Sequence, residues 1–95
     1  TIKRHAYVHY TNKKERLGWT MQKDYAENYK KLGLKIAYFR KLKGLTQEQL
    51  AEILDVDTSF IGQIEAPNIY KPITLTTLFR IADALEMAPG ELLDS

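Results

Sequence analysis

The stretch that most restricts the fold of this chain is Leu45-Thr46-Gln47-Glu48-Gln49-Leu50-Ala51-Glu52-Ile53-Leu54-Asp55-Val56-Asp57-Thr58-Ser59-Phe60-Ile61-Gly62-Gln63-Ile64-Glu65. It reads as two short helices joined by a tight turn. Thr46 is placed to N-cap the first helix, and Gln49, three residues on, reaches back to the Thr46 backbone, which makes a capping box. Leu45 and Leu50 flank the cap as a hydrophobic staple. Leu50, Ala51, Ile53 and Leu54 then recur at the spacing of a helix with one face on a core. Asp55-Val56-Asp57 breaks that period. Asp57 is the expected N-cap of the second helix, with Val56 and Ile61 as its staple. Ile61 and Ile64 face inward, which leaves Thr58, Ser59, Gly62 and Gln63 facing outward, all small or polar and none charged.

A helix that presents short polar side chains near its N-terminal end suits the major groove of duplex DNA, where base edges offer donors and acceptors. The stretch resembles the helix-turn-helix of phage repressors and Cro proteins, the xenobiotic-response-element type. The resemblance rests on Thr46-Gln47-x-x-Leu50-Ala51, the Val56-Asp57 turn and Ile61-x-x-Ile64-Glu65, in order and at the family's spacing. It continues through Leu78-Phe79-Arg80-Ile81-Ala82-Asp83-Ala84-Leu85, which looks like the family's fourth helix, and covers about residues 32 to 93. The implied fold is all-α, a five-helix repressor-like bundle spanning residues 32–95.

Residues 1–31 form an N-terminal basic extension to that domain. They carry eight Lys and Arg against three acidic side chains, whereas residues 32–95 carry six against nine. The expected DNA-binding module is thus itself acidic, which weakens nonspecific phosphate attraction, and the basic extension is placed to supply the missing charge. His5-Ala6-Tyr7-Val8-His9-Tyr10, the turn-forming Thr11-Asn12-Lys13-Lys14 and the return to Met21 read either as a β-hairpin or as a basic arm. His5 and His9 share a face but lack further ligands, so they read as surface or packing side chains, and no metal site or cofactor is expected. From Asp24 to Leu42 the period becomes helical, with Tyr25, Tyr29, Leu32, Ile36 and Phe39 in one stripe. Either helix 1 extends about two turns upstream of the family's usual start, or a separate helix precedes a break at Gly33. Gly44 reads as the residue that ends helix 1 in the left-handed conformation.

After Glu65 the chain departs from the family, in which a Gly commonly ends the recognition helix. Here Ala66-Pro67-Asn68-Ile69-Tyr70-Lys71-Pro72 follows, and Pro67 stops the helix instead. Thr74 is expected to cap a helix running to about Glu86, and Pro89 to open a last short helix to Leu93.

The resemblance implies roles for single residues. Thr58, Ser59 and Gln63 stand where the family reads bases, and Gln63 has the chemistry to pair with adenine or a guanine edge. Gln47, in the first turn of its helix where free N–H groups and the dipole favour an anion, matches the family's Gln that holds phosphate and helps orient the recognition helix. Asn68, Tyr70 and Lys71 are further phosphate candidates. Arg40 and Glu65 match an Arg–Glu pair that orients the family's recognition helix. One such helix reads few base pairs, so the expected assembly is a homodimer on two half-sites. Its seam is sought either at Leu85, Met87, Leu92 and Leu93 or at Trp19, Tyr25 and Tyr29.

The resulting expectation is a sequence-specific regulator of transcription, a repressor from a bacterium, phage or mobile element, acting on a double-stranded operator. An antitoxin and a restriction-system controller share the module. A protein-interaction adaptor that does not read DNA, with a partner at the N-terminal extension, is the alternative from another class. No catalytic residues are expected: no Ser/His/Asp set, no Cys and no Gly-rich phosphate loop after a strand is present. The sequence shows no signal-peptide pattern and no apolar run of membrane-spanning length, so a cytoplasmic protein without membrane association is expected.

Overall fold

The structure is a computed structural model that describes residues 25–94. The region read as hairpin or basic arm, with His5, His9 and Trp19, lies outside these residues. Five helices follow in order: α1 Ala26–Leu42, α2 Gln47–Leu54, α3 Thr58–Glu65, α4 Leu75–Ala84 and α5 Pro89–Leu93, with no strand among the described residues. The architecture is all-α.

Helix α1 is a single helix from Ala26, without a break at Gly33. Its stripe turns inward from Tyr29 on: Leu32 and Ile36 are buried, and Tyr29 and Phe39 pack partly against them, whereas Tyr25, counted in the stripe, is the N-cap residue and is 46% exposed. A glycine inside a helix costs about 1 kcal/mol relative to Ala. It is tolerated here because α3 comes so close: a Cβ on Gly33 would sit 1.9 Å from the Ile64 carbonyl oxygen. Glycine at position 33 thus lets α1 and α3 cross with backbone against backbone.

Three helices end by the same hydrogen-bond pattern. After α1, Gly44 (φ 74°) donates to the Lys41 carbonyl and Leu45 donates to Arg40. After α2, Asp55 (φ 56°) donates to Glu52, and Val56 to Ala51. After α4, Glu86 (φ 58°) donates to Asp83, and Met87 to Ala82. Each pair satisfies the last carbonyls and turns the chain back onto the core. Helix α4 therefore stops at Ala84, short of Glu86.

The capping box at the start of α2 is complete. The Thr46 hydroxyl accepts from Gln49 N–H at 3.0 Å, and the Gln49 side-chain oxygen accepts from Thr46 N–H at 2.8 Å. Thr74 caps α4 by accepting from Thr77 N–H at 3.1 Å. At α5 the Glu91 carboxylate accepts from Ala88 N–H at 3.0 Å, and alanine has no side chain to return the bond.

The core joins Leu32 and Ile36 of α1, Leu50, Ala51 and Leu54 of α2, Ile61 and Ile64 of α3, Leu78, Ile81 and Ala82 of α4, Leu85, and Leu92 of α5. Ile53, expected in this set, is instead 55% exposed. It lies at the edge of the α2 stripe, whose centre is already filled by Leu50, Ala51 and Leu54. Of the dimer-seam candidates at the C-terminal end, Leu85 and Leu92 belong to the core, Met87 is half-buried, and Leu93 is 60% exposed. No described helix is long and apolar enough to cross a membrane.

Candidate nucleic-acid interface

Helix α3 spans Thr58 to Glu65. Ile61 and Ile64 anchor one side in the core, while Thr58, Ser59 and Gln63 are exposed on the other. Asp57 holds the N-cap position with extended backbone, but its carboxylate makes no capping bond. The cap is made by the main chain alone, with Phe60 N–H donating to the Asp57 carbonyl at 3.0 Å. No acidic side chain sits in the first turn of α3, and the Asp57 carboxylate at its N-cap stands beside the positive end of the helix dipole.

The C-terminal end of α3 is held by a buried polar network. Arg40 Nε donates to Glu65 Oε2 at 2.7 Å and Arg40 Nη2 donates to Glu65 Oε1 at 2.8 Å, the two-pronged geometry of a guanidinium on a carboxylate. Arg40 Nη1 donates to the Leu45 carbonyl at 2.7 Å. The hydrogen bonds to Glu65, more than the charge attraction, raise the Arg40 pKa, against the opposing effect of burial. No buried side-chain nitrogen or oxygen among the described residues lacks a partner. Leaving a buried charge alone costs several kcal/mol, so a network this complete sets α3 against α1 and the turn after it in one arrangement.

Gln47 belongs to the same network. Its Nε2 donates to Glu65 Oε1 at 3.0 Å. A carboxamide carries two N–H donors, so one remains for a further acceptor beside the open N-terminal turn of α2. The side chain is half-buried against α3, and its Oε1 lies 3.7 Å from where a Cβ on Gly62 would be. Gln47 thus links α2 to α3.

Pro67 follows directly after α3, and Ala66 takes the extended backbone that a following proline favours. In the loop beyond it, Asn68 is exposed. Tyr70, 41% exposed, lies with its ring centroid 5.8 Å from that of Tyr29 on α1. Lys71 is half-buried and holds its Nζ 5.5 Å from the centroid of the Phe60 ring on α3. Phe60 itself is half-buried. Tyr29 is far from the loop in sequence, Phe60 lies on the helix that precedes it, and no residue pattern signals either contact.

Other contacts brace the scaffold rather than the exposed face of α3. Arg80 on α4 donates to the Leu54 carbonyl at the end of α2, Lys35 donates to the Asp94 carbonyl, and Lys43 pairs with Glu86. The Lys43 ammonium holds the Glu86 carboxyl below its usual range, chiefly through the hydrogen bond.

Comparison with known proteins agrees with this arrangement. The helix-turn-helix family model HTH_3 matches residues 36–92. The uncharacterized helix-turn-helix-type transcriptional regulator YazB of Bacillus subtilis is 38% identical over 60 residues, 63% of this chain and 84% of YazB. The control protein C.SmaI of Serratia marcescens is 38% identical over 55 residues, 58% of this chain and 63% of that protein. Across the curated relatives, the matched stretch spans from 11% to 84% of their length. The crystal structure of the restriction-modification controller protein C.AhdI from Aeromonas hydrophila superposes with a TM-score of 0.67 at 31% identity, covering 74% of this chain and 99% of that one. The chain belongs to the helix-turn-helix family of DNA-binding transcription regulators, of the xenobiotic-response-element type.

Proposed function

We propose that this protein occupies a duplex operator as a two-fold dimer and represses transcription there, with α3 in the major groove. Thr58, Ser59 and Gln63 read base edges, Gln63 by its carboxamide and the two hydroxyls by shorter bonds. Gln47 offers its second N–H to a phosphate at the start of α2, and Asn68, Tyr70 and Lys71 approach the backbone from the loop after α3. Phosphate contacts set the register and base contacts set the sequence preference. The five helices form the DNA-binding domain, the basic residues of 1–31 supply positive charge to the protein, and it works in the cytoplasm without catalysis.

The observation that carries this reading is the asymmetry of α3. Its inner side is locked by core burial, the Gly33 crossing and the Arg40–Glu65 pair, while its outer side presents uncharged polar groups. The test is selection of random duplex DNA by the purified chain at near-physiological salt, beside Gln63→Ala. A two-fold-symmetric motif that Gln63→Ala relaxes at one position is the expected result. Binding that vanishes with salt and ignores Gln63 refutes base reading by α3.

A narrower reading is favoured by the likeness to C.AhdI and C.SmaI: a controller of a restriction-modification system. On that reading the selected motif lies upstream of a methyltransferase or restriction gene beside this one, and a reporter driven by that promoter responds to the protein. A motif found only at unrelated promoters rules the controller role out.

A further inference from the structure

We infer that Tyr29 is a positioning residue for DNA binding: it holds the loop after the recognition helix in place without touching DNA. This rests on the operator reading above and extends it to a part of the chain outside the stretch matched by the family model, which begins at residue 36.

The loop 66–73 connects α3 to α4 and departs from the family pattern. It contains two prolines and only one internal main-chain bond, from Ile69 N–H to the Ala66 carbonyl at 3.3 Å. Its side chains fasten it at two adjacent residues. Tyr70 lies against Tyr29 with ring centroids 5.8 Å apart and planes at 44°, within the range of attractive ring pairs. Lys71 sits over Phe60 of α3 at 5.5 Å, within the distance for a cation on a ring face. One contact ties the loop to α1 and the other ties it to the recognition helix.

Tyr29 is placed to do this only because α1 begins at Ala26, more than a turn before Leu32. Its ring is half-buried and packs against the core, so it is fixed before the loop docks. Ile73, also packed against the core, closes the loop's other end. Without the Tyr29 ring the loop loses this tie to α1, and ordering its residues on DNA would then cost conformational entropy at that moment. Lys71 is the loop's cation, so the loss should fall on phosphate contact and leave base preference unchanged.

The experiment uses the full chain on its selected operator, measuring affinity across a salt series together with thermal stability. Tyr29→Leu keeps an apolar side chain against the core and removes the ring, while Tyr29→Phe keeps the ring. Tyr29→Leu should weaken binding roughly two- to tenfold, the range of a ring pair, and lower the salt slope by about one, with the selected motif unchanged. Tyr29→Phe should bind like wild type. In a Lys71→Ala background, Tyr29→Leu should add less than it costs alone, because part of its effect runs through Lys71. Affinity and slope within twofold of wild type for folded Tyr29→Leu, or losses fully additive with Lys71→Ala, overturn the proposal. If Tyr29→Leu does not fold, the additivity is read with Tyr29→Val, under the same criteria. If Gln63→Ala leaves the motif unchanged, it is the operator reading that fails, whatever Tyr29 does.

Discussion

The two ends of the candidate interface are built differently. The crossing of α1 and α3 is buried, rigid and made of backbone contact and paired charge: Gly33 under the Ile64 carbonyl, and Arg40 gripping Glu65 with two hydrogen bonds. The loop 66–73 is largely exposed and rests on side-chain rings, Tyr70 on Tyr29 and Lys71 on Phe60. Single changes in the first region are costly, because low-dielectric surroundings and close packing make any unpaired group or added atom expensive. The second is adjustable, because each of its contacts is modest and water can replace it.

This contrast can be broken from the rigid side first. Arg40→Ala leaves Glu65 buried without its partner and should cost about 3–5 kcal/mol, measured by urea unfolding. Replacing both residues by apolar side chains of similar volume should recover much of that loss, and failure to recover it would show that the pair does more than balance charge. Gly33→Ala should cost about 3 kcal/mol, the upper part of the usual overpacking range, because the added carbon meets backbone that cannot rotate away. It should also weaken operator binding even where the protein remains folded, since relief of the clash moves α3. Normal stability and binding of Gly33→Ala would mean that the two helices slide apart freely.

On the adjustable side the expected effects are smaller. Lys71→Ala should leave the melting temperature nearly unchanged, weaken binding to all duplexes alike and lower the salt slope by about one. A change in the selected motif would instead assign Lys71 to base reading. The smallest effect belongs to Lys43–Glu86, an exposed pair. The Glu86 carboxyl is held below its ordinary value of 4.5. A depressed folded pKa contributes stability above the unfolded value, and that contribution is lost as pH falls through the folded one. The slight stability difference between wild type and Glu86→Gln should therefore be present near neutrality and vanish in acid below that range. A difference that grows in acid would contradict the sign of the shift.

Much of the fold was legible because local rules and the core agree. Thr46 and Gln49 announce the start of α2, Gly44 the end of α1, Pro89 the start of α5, and Pro67 the stop of α3. The apolar period over Tyr29, Leu32, Ile36 and Phe39 marks the inner face of α1. Ile53 shows the limit of that kind of reading. Apolar spacing defines a face but not its edges, and which edge residue is covered depends on the neighbouring helix.

The candidate interface divides in the same way. The outward placement of Thr58, Ser59 and Gln63 follows from helical period once Ile61 and Ile64 are assigned inward. Gly33 left two readings open, one longer helix or a break, and the close crossing with α3 was in neither, because a missing side chain has no pattern of its own. The bond from Gln47 to Glu65 and the contacts of Tyr29 with Tyr70 and of Phe60 with Lys71 join residues far apart in the chain. Short-range order along this chain, the caps, turns and apolar faces, is set by interactions within a few residues and was readable from composition and spacing. The aim of α3 and the seating of the loop after it were decided only when the helices packed. Those depend on distances between segments, and nothing within a few residues of either segment encodes them.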